Sequence, residues 1–144
     1  MQLSDDWFSA IGEATNGSPI FITGRDHLEE FRTSLKLKER VEIYWKYTPS
    51  SNWMPTEKES ELMEEAMALV TQAVEKDKLA ILTGIYTGNG ERTLVFYTRT
   101  STVFGERLNK ALSSFDPLPI TLYVENDIEW NEYLEMCEIK PFAD

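Results

Sequence analysis

The chain has one cysteine, Cys137, and one histidine, His27, in 144 residues. A lone cysteine excludes an intrachain disulfide and makes a reducing compartment, the cytoplasm, the simpler expectation. His27 and Glu30 have helical ligand spacing, but a zinc site takes three or four donors of defined type, so no metal is expected. Cations are scarce too: 14 Lys and Arg face 25 Asp and Glu, for a net charge of -11. Binding phosphate backbones or anionic lipid requires cations that neutralise phosphates, so neither nucleic acid nor a membrane is an expected partner. No window approaches the roughly 20 apolar residues of a membrane span. The stretch from Met1 to Trp7 lacks the basic-then-apolar order of an export signal. No repeat or Gly/Pro/Ser-rich linker divides the chain.

What is present is an ordinary globular composition, 42% apolar and 12% aromatic. A chain of this length buries roughly 68% of its unfolded surface, enough for a core that needs no cofactor. One domain, 1–144, is expected, with an amino-terminal portion (1–40), a central portion (41–125) and a carboxyl-terminal helix and tail (126–144).

Trp7 to Glu13 and Ile20 to Gly24 read as short strands joined across Asn16-Gly17-Ser18-Pro19. Asp26 and Glu29 have N-cap and N3 spacing, and Leu28, Phe31 and Leu35 recur as on one helical face, which predicts a short helix. Val41, Ile43, Trp45 and Tyr47 alternate with polar or amphipathic residues, the period of a half-buried strand. Thr56 and Glu59 form a capping-box spacing before an apolar stripe over 57–76, including Leu62, Met63, Ala66, Met67, Leu69, Val70 and Val74. Leu79 to Tyr86 and Thr93 to Thr98 flank Gly88-Asn89-Gly90 as a hairpin. Phe104, Leu108, Ala111, Leu112 and Phe115 then predict a helix that Pro117 and Pro119 end, before Ile120, Leu122 and Val124 alternate as a strand. The order βαββαβ from residue 41 predicts an α+β fold with a ferredoxin-like core, an antiparallel sheet with helices on one face. In the last helix Trp130, Tyr133, Leu134 and Cys137 share one sector, leaving Glu129, Glu132, Glu135 and Glu138 as an acidic exterior.

The chemistry-bearing residues are few. Strand parity puts Tyr44, Tyr97 and Tyr123, with Lys46 and Arg99, on the sheet face away from the expected helices. That face is expected to be covered by the amino-terminal hairpin or a second copy of the chain, or else to serve as a small-ligand or peptide platform. Cys137 reads as a small buried hydrophobe, and no Gly-x-Ser-x-Gly elbow accompanies His27. Gly88 and Gly90 read as turn residues, since no phosphate-binding helix follows. Trp53-Met54-Pro55 reads as a loop folded over the core or a ligand contact, and the Asp5-Asp6 and Glu64-Glu65 pairs as solvated surface.

Trp7, Gly17-Ser18-Pro19, Gly90-Glu91-Arg92 leading into Phe96-Tyr97, and above all the Asp127-x-x-Trp130-x-x-Tyr133 spacing resemble the DUF695 family of uncharacterised proteins. The resemblance implies a structural signature and no activity. A more distant likeness links that family to the regulator of ribonuclease E activity B family, small acidic ferredoxin-like proteins that bind and inhibit an RNA-processing enzyme.

From 116 to 144 eight acids face one lysine, so the leading expectation is a non-catalytic protein-binding or regulatory module acting through acidic helical surfaces. The rival is a small-molecule binder or small enzyme using the tyrosine face. Trp130 is expected to anchor the last helix, at about 3 to 5 kcal/mol for truncation to alanine, and Asp127 to cap it for about 1 kcal/mol.

Overall fold

The computed structural model describes residues 2–140; the tail expected beyond Lys140 lies outside the described residues. The protein is α+β: among the described residues six strands and four helices follow in the order β1 (Trp7–Glu13), β2 (Pro19–Arg25), α1 (Glu29–Thr33), β3 (Glu39–Lys46), α2 (Glu57–Glu75), β4 (Ala80–Gly88), β5 (Glu91–Thr98), α3 (Ser101–Ala111), β6 (Ile120–Asn126) and α4 (Asn131–Glu138). The strands form one open sheet in the order β1-β2-β4-β5-β3-β6, with every neighbouring pair antiparallel.

Strand alternation divides the core in two. Val41, Ile43 and Trp45 of β3, with Leu94 and Phe96 of β5, pack under Met63, Ala66, Met67, Val70 and Val74 of α2 and Phe104 and Leu108 of α3. Their opposite neighbours, Val95 and Tyr97, join Phe8, Ile22 and Ile81 in a second cluster with Phe31 of α1, with Trp130, and with Tyr133 and Met136 of α4. Helices therefore cover both faces. The amino-terminal hairpin does not fold over the tyrosine face: β2 pairs with β4 and widens the sheet, while α1 and α4 provide the cover.

Local chemistry accounts for the boundaries. The Thr56 side chain accepts from Glu59 N at 3.2 Å, capping α2 as its spacing predicts. Asn89 (φ 54°) and Gly90 (φ 78°) supply the left-handed backbone of the tight β4–β5 turn. Asp26 does not cap α1: His27 is left-handed (φ 61°), and the five-residue helix starts after Leu28 without a side-chain cap. Leu35, also left-handed at φ 60°, lies beyond that helix and is 52% exposed, so it leaves the face predicted for it. The α2 stripe is narrower than its apolar sequence, with Leu62 and Leu69 exposed. A bulge at Thr83 shifts the β4 register between Leu82 and Gly84.

Candidate functional site

On the α1/α4 face, neighbouring strands place Arg40 among three carboxylates. Its guanidinium donates to Glu42 at 2.7 Å, Asp127 at 2.8 Å and Glu125. Each predicted tyrosine has its own acceptor: Tyr44 donates to Glu42 at 2.6 Å, Tyr97 to Asp127 at 2.8 Å and Tyr123 to Glu125 at 3.1 Å. They do not share an open surface, because Tyr97 is fully buried beneath Trp130 while Tyr123 is 45% exposed. Burial first, then the adjacent carboxylate, pushes the Tyr44 and Tyr97 hydroxyls well above their ordinary range, so neither is an acid for chemistry near neutral pH. Arg99 lies past the far end of β5, where it lines a cleft of about 220 Å³ with Lys36 and Lys78.

The carboxyl-terminal signature forms a lock beside this network. Asp127 accepts from the backbone N–H groups of Asn131 and Glu132 at 2.8 and 3.2 Å, as well as from Tyr97 and Arg40, and so caps α4 from outside it. Burial would raise its pKa, but these donors outweigh burial and hold the carboxyl below its ordinary range. Trp130 stacks on Tyr97 at 4.3 Å between ring centres and donates through Nε1 to Leu37 O at 2.9 Å. Its backbone is left-handed, φ 59°, and serves as the N-cap of α4. Tyr133 meets Trp130 edge-on at 5.5 Å and donates to Arg25 O at 2.6 Å.

This start turns α4 away from the predicted wheel. Tyr133 and Met136 are buried, Leu134 is 38% exposed and Cys137 is half-buried, its thiol pushed up by burial. Glu132, expected on the acidic exterior, instead accepts from Tyr86 at 2.6 Å. Its Oε2 is buried without a partner among the described residues, and burial raises its pKa.

The opposite face carries a feature that periodicity did not reveal. Only part of the widened sheet lies beneath α2, and between that helix and β2, β4 and β5 runs a cleft of about 660 Å³. Met54, Phe21, Ile85, Thr87 and Arg92 line it, together with the buried Met63 and Met67. Arg92 is half-buried, and its Nε donates to Thr87 Oγ1 at 2.9 Å. Of the Trp53-Met54-Pro55 cluster, Met54 reaches this cleft while Trp53 is 49% exposed. Met63 and Met67 carried the signal of a core stripe, and Arg92 that of an ordinary strand position; only the hairpin's placement makes them neighbours.

His27 is exposed, 3.6 Å from Asp6. Among the described residues no group of three or more His, Cys, Asp or Glu is arranged to hold a metal ion, and no helix is long and apolar enough to cross a membrane.

These features define an α+β protein in which a helix locked by an Asp-x-x-Trp-x-x-Tyr run closes one face of a six-stranded antiparallel sheet. The chain belongs to DUF695, a family of unknown function whose model matches residues 5–136. Comparison with curated proteins and with solved structures gave no match.

Proposed function

We propose that this protein is a non-catalytic, cytoplasmic, single-domain binding module whose edge strand β6 receives a basic, extended segment of a protein partner. One observation carries the reading: among the described residues β6 pairs only with β3, and it exposes Leu122, Tyr123 and Val124 by 41, 45 and 43% along that edge. A free edge offers unpaired backbone groups to an added strand, with side chains on both faces to select it. The eight acids against one lysine from residue 116 onward favour a basic partner. A ferredoxin-like core is the finer reading of the fold, supported by the order β4-β5-β3-β6 and by α2 and α3 lying on one face.

Fluorescence anisotropy with a labelled alternating valine–lysine peptide tests the proposal. Saturable binding that weakens with salt is expected, to be lost in Val124→Lys and kept in Leu134→Lys, which makes the same charge change on α4. No binding, or equal loss in both variants, overturns it.

A further inference from the structure

The geometry points to a second binding site, for a small apolar molecule bearing a single carboxylate, in the cleft between α2 and strands β2, β4 and β5, with Arg92 as the carboxylate's partner. The site lies on the opposite side of the sheet from the Tyr97–Asp127 network and does not depend on the β6 reading. Its lining supplies the apolar part: Met54, Phe21 and Ile85 border a cleft of about 660 Å³ that the buried Met63 and Met67 also line, a volume within the usual range for small-molecule sites. Methionine's unbranched, polarisable side chain adapts to irregular apolar shapes. The cleft extends from Met63 to Glu75 along α2, about 18 Å of helix, so its occupant is longer than it is broad.

The two ends differ in charge. At the Glu75 end, the carboxylate is committed to Arg25 at 3.0 Å and to the backbone N–H of Leu82 at 2.9 Å. At the other end, Arg92 makes no ion pair among the described residues, and Nε is its only guanidinium nitrogen with a side-chain hydrogen bond there. Its two terminal amino groups are the fork that takes a carboxylate through paired hydrogen bonds. Thr87 holds that fork from across the hairpin, since Thr87 and Arg92 are register partners. Burial disfavours the charge on Arg92, and the nearby Glu64 carboxylate offsets only part of that cost, leaving the remainder for an anionic ligand to offset. Glu64 lines the same end and opposes each negative charge brought there, so a phosphate dianion meets about twice the repulsion of a monoanionic carboxylate.

Calorimetric titration of the full chain with decanoate and with decanol provides the test. Decanoate should bind saturably at one site, with decanol weaker by about tenfold, the scale of one charge-assisted contact. Arg92→Gln should remove that preference while decanol still binds. Ala68→Trp, at an exposed α2 position lining the cleft, should abolish binding of both, with circular dichroism unchanged. Absence of decanoate binding, an unchanged preference in Arg92→Gln, or binding that survives Ala68→Trp overturns the assignment. Binding of the valine–lysine peptide to β6 should be the same in both variants, so failure here is distinct from failure there.

Discussion

Trp130 combines a costly backbone with a large buried ring. A left-handed conformation is unfavourable for a bulky residue by roughly 1–2 kcal/mol, so the ring's contacts must exceed that cost: it is 1% exposed, stacked on Tyr97 and hydrogen-bonded to Leu37 O. Trp130→Ala should therefore lower stability by about 4 kcal/mol in urea unfolding; a variant that melts like the parent would reassign the signature to recognition. Asp127→Ala should cost about 3 kcal/mol, more than a simple cap, because it strands Arg40 and the Tyr97 hydroxyl as well as two backbone donors. Glu132 has the opposite sign. Its folded pKa is raised, mainly by burial, so as pH climbs through the ordinary value of about 4.3 the unfolded chain ionises first and stability is lost. Glu132→Gln keeps an acceptor for Tyr86, and should be more stable than the parent by about 1 kcal/mol at pH 7, with the gain vanishing near pH 3. A less stable variant at pH 7 would mean that the carboxylate is stabilising.

At the scale of elements, α4 docks because the sheet has a notch. Gly24 and Gly84 are register partners on β2 and β4. A Cβ at Gly84 would sit 2.6 Å from Met136 Sδ, and one at Gly24 2.9 Å from Met136 Cε. Gly84→Val should then cost about 1–3 kcal/mol through overpacking and speed hydrogen exchange selectively over α4; uniform exchange would show that the notch does not position the helix. This docking marks the limit of what the sequence made legible. Strands with strict alternation, such as Val41, Ile43 and Trp45, and the capped α2 could be read directly, because period and cap are local properties. That Gly24 and Gly84 meet, that the hairpin extends the sheet, and that Trp130 starts α4 left-handed are long-range outcomes. Hence the α4 wheel moved from Leu134 to Met136, Glu132 turned inward and Tyr97 was covered. The Arg92 cleft is wholly tertiary: its lining comes from β2, the loop before α2, α2 itself, β4 and β5.

For the molecule as a whole, the imbalance of charge sets the response to salt. Its ion pairs differ in their sensitivity to screening. Arg25–Glu75 and Arg40–Asp127 are largely enclosed, with side-chain exposures of 7 and 15% and of 12 and 4%, whereas Arg107–Asp77, at 27 and 51%, is open to solvent. Open pairs contribute little and are screened, while enclosed ones are screened much less. Against these stands the mutual repulsion of a chain with net charge -11, which destabilises the compact state and weakens once the Debye length falls to about 8 Å at physiological ionic strength. We expect repulsion to be the larger salt-sensitive contribution, in which case adding potassium chloride from low to physiological strength should raise the melting temperature by about 4 °C, equivalent to roughly 1 kcal/mol. Thermal unfolding at pH 7 across that range measures it. A melting temperature that falls steadily with salt would mean that the exposed pairs outweigh the repulsion, and charge-neutralising substitutions on the outer face of α4, such as Glu135→Gln, would then leave stability unchanged instead of raising it.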